Sequence, residues 1–117
     1  MKTTKVSFSY KGKKFSFDAN VCSRLDWGLG LMFKSRNTPP LLFDIGKPTD
    51  MALTALFVFF PFVAVWLDSK NNVLAVEKIN PFVPVISSPK NFVKLLEIPL
   101  NDRHRNKVEI LVGERKI

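Results

Sequence analysis

The sequence predicts a mainly β fold, a compact antiparallel barrel or flattened sandwich with at most one or two short helices. Three observations carry that expectation. Eleven of the 117 residues are Phe, a residue that favours strands. Short apolar segments recur between turn-forming residues at regular spacing. A central uncharged run, Met51–Leu67, is apolar on both faces and rich in aromatic and β-branched side chains.

The elements follow in order. Lys5–Tyr10 and Lys14–Asp18 flank Lys11-Gly12-Lys13, a hairpin signal in which Gly is free to take positive φ. Val6, Phe8 and Tyr10 share one face of the first strand, and Phe15 and Phe17 share one face of the second. Ser23–Trp27 has room for a turn or two of helix, with Ser23 as its cap. Pro39-Pro40 and Gly46-Lys47-Pro48 then punctuate shorter segments. The central run reads as one strand from Met51 towards Pro61, a bend there, and a second strand to Leu67. Asp68-Ser69-Lys70-Asn71-Asn72 is turn chemistry, and Val73–Lys78 returns as a strand. Pro81, Pro84 and Pro89 keep Asn80–Lys90 irregular. Phe92–Ile98 reads as a strand, Asn101–Lys107 as a polar loop, and Val108–Val112 as a last strand before Gly113.

The central run raises the question of a membrane span. Its 17 residues would extend about 25 Å as a helix, short of the ~30 Å hydrocarbon core. Pro61 would break that helix, and no Lys or Arg cluster flanks it. The run is therefore expected to be core, with no membrane span. A length of 117 residues suits a single domain, 1–117, since two independent cores would be hard to stabilise.

Lys and Arg outnumber Asp and Glu by 18 to 10, a formal charge of +8. Such a field attracts nucleic acid or an acidic partner, and it also keeps a small protein soluble. The lone cysteine, Cys22, cannot form an internal disulfide, which fits a reducing compartment and the role of a small buried thiol. The leading segment Met1–Lys5 lacks the continuous apolar stretch of a secretory signal, so the expected location is cytoplasmic.

Catalytic chemistry is sparse. One Cys and one His cannot supply a zinc set, and Gly28-Leu29-Gly30 lacks the remainder of a phosphate-cradling loop. His104, flanked by Arg103 and Arg105, reads as a solvated loop histidine whose protonated form the cations disfavour. Asp44, Asp50 and Asp68 could perform acid–base work only if brought within ~5–9 Å, and turn and cap roles are their default. No metal, cofactor or catalytic residue is assigned.

Three basic groups are the candidates for contact with an anion. They are Lys11, Lys13 and Lys14; Arg103, Arg105 and Lys107; and Arg115 with Lys116. Small β-barrels bind single-stranded nucleic acid by setting a basic groove beside stacking aromatics, here Tyr10, Phe15 and Phe17. Alternation nonetheless turns most of those rings inward, and hairpin lysines also discourage edge pairing.

The order of motifs carries a resemblance. Gly30-Leu31-Met32-Phe33-Lys34, Leu41-Leu42-Phe43 and the segment Phe57–Asp68 are followed by Val76, Pro81 and Ser88-Pro89, then by Leu96-Glu97-Ile98-Pro99 and Val112-Gly113-Glu114. Together they resemble the family named domain of unknown function 192, also called uncharacterised protein family 0127, over roughly 21–117, with the hairpin 5–18 as a leading strand pair. The resemblance implies a compact mainly β barrel or sandwich and brings no catalytic residues. The chain departs from the family pattern at Val63, where an acidic residue is common, and at Phe57 and Val58, where a polar Asn-Thr pair is frequent. Glu114 stands where Asp is usual.

The leading expectation is a non-enzymatic cytoplasmic β module that binds an unidentified partner or small ligand. Two alternatives stay open: a nucleic-acid-binding module using its basic loops, and an enzyme with a carboxylate-based site. Self-association as a homodimer through leftover apolar surface, Phe82 included, is a further expectation.

Overall fold

A computed structural model describes residues 2–22, 31, 34–35 and 37–113. Six strands, β1 (Thr3–Tyr10), β2 (Lys13–Val21), β3 (Leu41–Thr49), β4 (Phe62–Leu67), β5 (Val73–Ile79) and β6 (Phe92–Pro99), precede one helix, α1 (Arg105–Leu111). They form one sheet in the order β1-β2-β3-β6-β4-β5. All neighbours are antiparallel except β2 and β3, which run parallel over Asn20↔Leu41 and Val21↔Leu42. The fold is mainly β, as expected, in the form of a curled half-barrel.

The hairpin arises where the sequence places it. Lys11 and Gly12 both take positive φ, +51° and +79°, which matches the twist of the flanking strands. Val6 then faces Phe17 and Phe8 faces Phe15, and the Phe8 and Phe15 rings stack with centroids 5.6 Å apart.

Curling brings β1 towards β5. Asn71, in the β4–β5 turn, donates from Nδ2 to the Ser7 carbonyl at 3.4 Å and accepts from Lys94 Nζ at 2.9 Å. One core cluster gathers Val6, Phe8, Phe15, Phe17, Leu42, Val63, Val65, Leu67, Leu96 and Ile98, with Val73 and Val76 of β5 packed against it. All six strands therefore contribute to this inner face. Val108 and Leu111 of α1 belong to the same cluster, so the helix plugs the half-barrel.

The outer face of β3, β4 and β6 carries a second cluster. Phe62, Ala64 and Trp66 point into it with Leu41, Phe43, Phe92 and Leu95. Ala55, Val58, Phe60 and Ile86 close it from above. Strand β4 is thus covered on both faces, and each of its six residues is fully buried. This is the physical reason for its unbroken apolar sequence. No helix among the described residues is long and apolar enough to cross a membrane.

Four segments differ from the sequence reading. The expected strand from Met51 towards Pro61 does not form: across 51–60 a single bridge joins Leu53 to Ile86, and Thr49 and Thr54 side chains accept the backbone N–H groups of Met51 and Leu56. Such local bonds compete with a ladder. Val108–Val112 lies not in a strand but largely in α1, because Val108 and Leu111 bury at helical spacing and Gly113, at φ +77°, ends the turn. The expected polar loop Asn101–Lys107 accordingly gives way to helix at Arg105. Leu41–Thr49, read only as punctuated short segments, is a continuous strand with an irregularity between Asp44 and Thr49, where Gly46 takes φ +83°. The expected helix at Ser23–Trp27 and the Gly28-Leu29-Gly30 turn lie outside the described residues.

Candidate anion-binding site

The strands and α1 bring together two basic groups that are about ninety residues apart in sequence. Lys13 and Lys14 open β2, and Lys107 sits on the exposed side of α1. Docking of Val108 and Leu111 onto Phe15 and Phe17 sets that helix beside the hairpin. A cavity of about 480 Å³ results, lined by Lys13, Lys14, Phe15, Ser16, Lys107 and Ile110. Lys107 Nζ is fixed by donating to the Ser16 carbonyl at 2.8 Å, and it lies 5.2 Å from the centre of the Phe17 ring.

Lys107 also borders a second cavity of about 400 Å³, with Arg103, His104, Asp18, Asn20 and Thr3 on its walls. The two hollows therefore share a lysine and adjoin one another. A turn closed by Asn101 positions the second hollow: its buried side chain accepts from the Arg103 N–H at 3.0 Å, and the His104 N–H donates to its carbonyl at 3.1 Å.

His104 is not the solvated loop residue expected from sequence. It is half-buried, packs edge-on against Phe17 with ring centroids 6.0 Å apart, and has no partner for Nε2 among the described residues. Burial, then Lys107, then Arg103 hold its pKa below the ordinary value, so it stays neutral near pH 7.

Among the described residues, the other basic candidates, Lys11 and Arg105, lie apart from the hollows' walls. Lys11 is at the hairpin tip, its amine 5.4 Å from the Tyr10 ring. Arg105 is exposed and pairs with Asp102 at 3.5 Å. Arg115 and Lys116 lie outside the described residues. Of the three expected stacking aromatics, Phe15 and Phe17 are buried and cannot offer faces to bases, whereas Tyr10 is partly exposed at the hairpin tip. Inward alternation of the hairpin accounts for this.

The three aspartates serve turns or solvent. Asp44 Oδ1 accepts the Gly46 N–H, Asp50 is exposed, and Asp68 accepts from Asn72 and Lys70, which lowers its pKa. No group of three or more His, Cys, Asp or Glu side chains poised for a metal exists among the described residues.

Sequence reasoning named one carboxyl, Glu97, only within a motif and gave it no role. Glu97 on β6 points into the outer cluster between Leu41 and Ala64, and burial pushes its pKa up to about 8 against the Leu31 N–H bond that lowers it. Its Oε1 has no partner among the described residues. An apolar strand with one acidic residue, Leu95-Leu96-Glu97-Ile98, was the available signal.

No family model matches the chain, and no curated protein matches it. Two solved structures share its fold. One, from Sinorhizobium meliloti and provisionally assigned as a transcription regulator, superposes with a TM-score of 0.71 at 17% identity, covering 83% of this chain and 79% of that one. The other, a protein of unknown function from Novosphingobium aromaticivorans, gives 0.74 at 13% identity over 89% and 77%. At such identities the likeness is one of fold.

Proposed function

We propose that this protein is a non-catalytic binding module that holds the phosphate backbone of a nucleic acid in the groove between its first hairpin and α1. One observation carries the reading: Lys13 and Lys14 from the hairpin and Lys107 from the helix line a single hollow, with Arg103 in the next. Spaced cations along a groove suit a chain of phosphates, and the net charge of +8 steers such a ligand inward. With Phe15 and Phe17 buried, binding rests on phosphate contacts and is indifferent to base sequence. The provisional assignment of the Sinorhizobium meliloti structure to transcription agrees with this reading.

A cytoplasmic setting belongs to the proposal, since nucleic acid is available there and a single cysteine, Cys22, can form no internal disulfide. So does membership of the domain of unknown function 192 family, supported by the motif order and the β architecture.

Fluorescence anisotropy with labelled single-stranded and duplex oligonucleotides tests it. Binding is expected at low salt, with Lys13→Glu and Arg103→Glu each weakening it about tenfold. Absence of binding at low salt overturns the proposal.

A further inference from the structure

The side of the sheet away from α1 carries a surface of the opposite character. Segments 51–60 and 80–90 close the outer cluster with Ala55, Val58, Phe60 and Ile86. They are tied together by Leu53 and Ile86, which exchange backbone hydrogen bonds at 2.8 and 2.9 Å, and by the Ala55 N–H donating to the Val83 carbonyl at 2.7 Å. Leu53 and Val83 pack partly against that cluster, while Met51, Leu56, Phe57, Phe59, Phe82 and Val85 are 45–68% exposed. Phe59 and Phe82 meet edge to face with centroids 5.6 Å apart. Phe82 also has a φ of +67°, a strained backbone for a bulky residue, held by its N–H donating to the Ala55 carbonyl at 2.9 Å. Strain that projects an aromatic ring into solvent points to a use for that ring.

Six such side chains leave on the order of 500 Å² of apolar surface in water, at the upper end of what a monomer tolerates. With a polar rim this approaches the ~800 Å² per partner of a standard interface, and an apolar centre is typical of homodimers. Charge identifies the occupant. Across 51–60 and 80–90 the one ionisable side chain is Lys90, at the end of the second segment. Two molecules of charge +8 can therefore meet through the rest of this face without setting like charges against each other. A lipid surface would want cations beside the exposed rings, whereas the basic groove lies on the other side of the sheet.

We infer that this face is the contact between two copies of the chain. The dimer turns both basic grooves outward. The contact stands independently of what the grooves bind.

Sedimentation equilibrium from about 1 to about 100 μM, without nucleic acid, tests the inference. The chain is expected to double its mass across that range and to associate more tightly as salt rises, because screening relieves the repulsion between copies. Phe82→Asn, which suits the left-handed backbone, and Val85→Glu should each shift association at least tenfold towards monomer. Lys13→Glu, on the other side of the sheet, should leave dimerisation intact. A monomer at every concentration overturns the inference, whether or not the protein sediments with anionic vesicles. Dimerisation as tight in both patch variants as in the parent also overturns it.

Discussion

Trp66 shows how one side chain organises its surroundings. Its indole is fully buried, and Nε1–H donates to Ser88 Oγ at 3.0 Å, while that hydroxyl donates onward to the Met51 carbonyl at 2.7 Å. The relay pins both covering segments to β4. Ser88→Ala leaves a buried donor without an acceptor and is expected to cost about 1–3 kcal/mol in urea unfolding. Ser88→Thr should recover most of that loss. Glu97 has a different signature. The unfolded carboxyl ionises near its ordinary value of 4.5, whereas the folded one keeps its proton up to about 8. Between those values folding takes up a proton, so stability from this group is highest below pH 4.5 and falls as pH rises. His104 works in the opposite sense, around and below its ordinary 6.5. Unfolding at pH 7 and pH 8.5, above most of the His104 contribution, reads Glu97: the parent should lose about 1 kcal/mol between them, and Glu97→Gln should lose almost none.

At the scale of elements, legibility in the sequence tracked whether a segment obeyed one rule or several. The hairpin combines period-two alternation with a glycine turn, so both strands and the turn were readable from Lys5 to Asp18. Strand β4 was readable because burial on both faces requires an unbroken apolar run. Val108–Val112 was misread because Val108, Ile110 and Val112 alternate like a strand while Val108 and Leu111 also fit a helix. Tertiary packing chose the helix, since the inner face needed a plug. Leu111 is 2% exposed within that plug, and Leu111→Ala is expected to cost about 2–4 kcal/mol. Since α1 also carries Lys107, the same substitution should weaken anion binding. Lys107→Gln should weaken binding with less effect on thermal stability.

Across the whole molecule, the sheet separates two surfaces that sequence order interleaves. The basic groove depends on residues 13 and 107 meeting, and a charge census gives the sum of +8 without their adjacency. Candidate lysines were therefore legible individually, and the groove was not. Glu97 was hidden for a related reason: an acidic residue among apolar neighbours does not reveal which side of a strand is enclosed. Burial of Phe15 and Phe17 removes base stacking from the site, and phosphate contacts are left to carry it. That makes the ionic-strength dependence of nucleic-acid affinity the most direct measurement. The logarithm of the affinity should fall linearly with the logarithm of salt concentration, and Lys13→Glu should reduce that slope by about one. An affinity unchanged by salt, or a slope identical in the parent and in Lys13→Glu, would contradict binding in the groove.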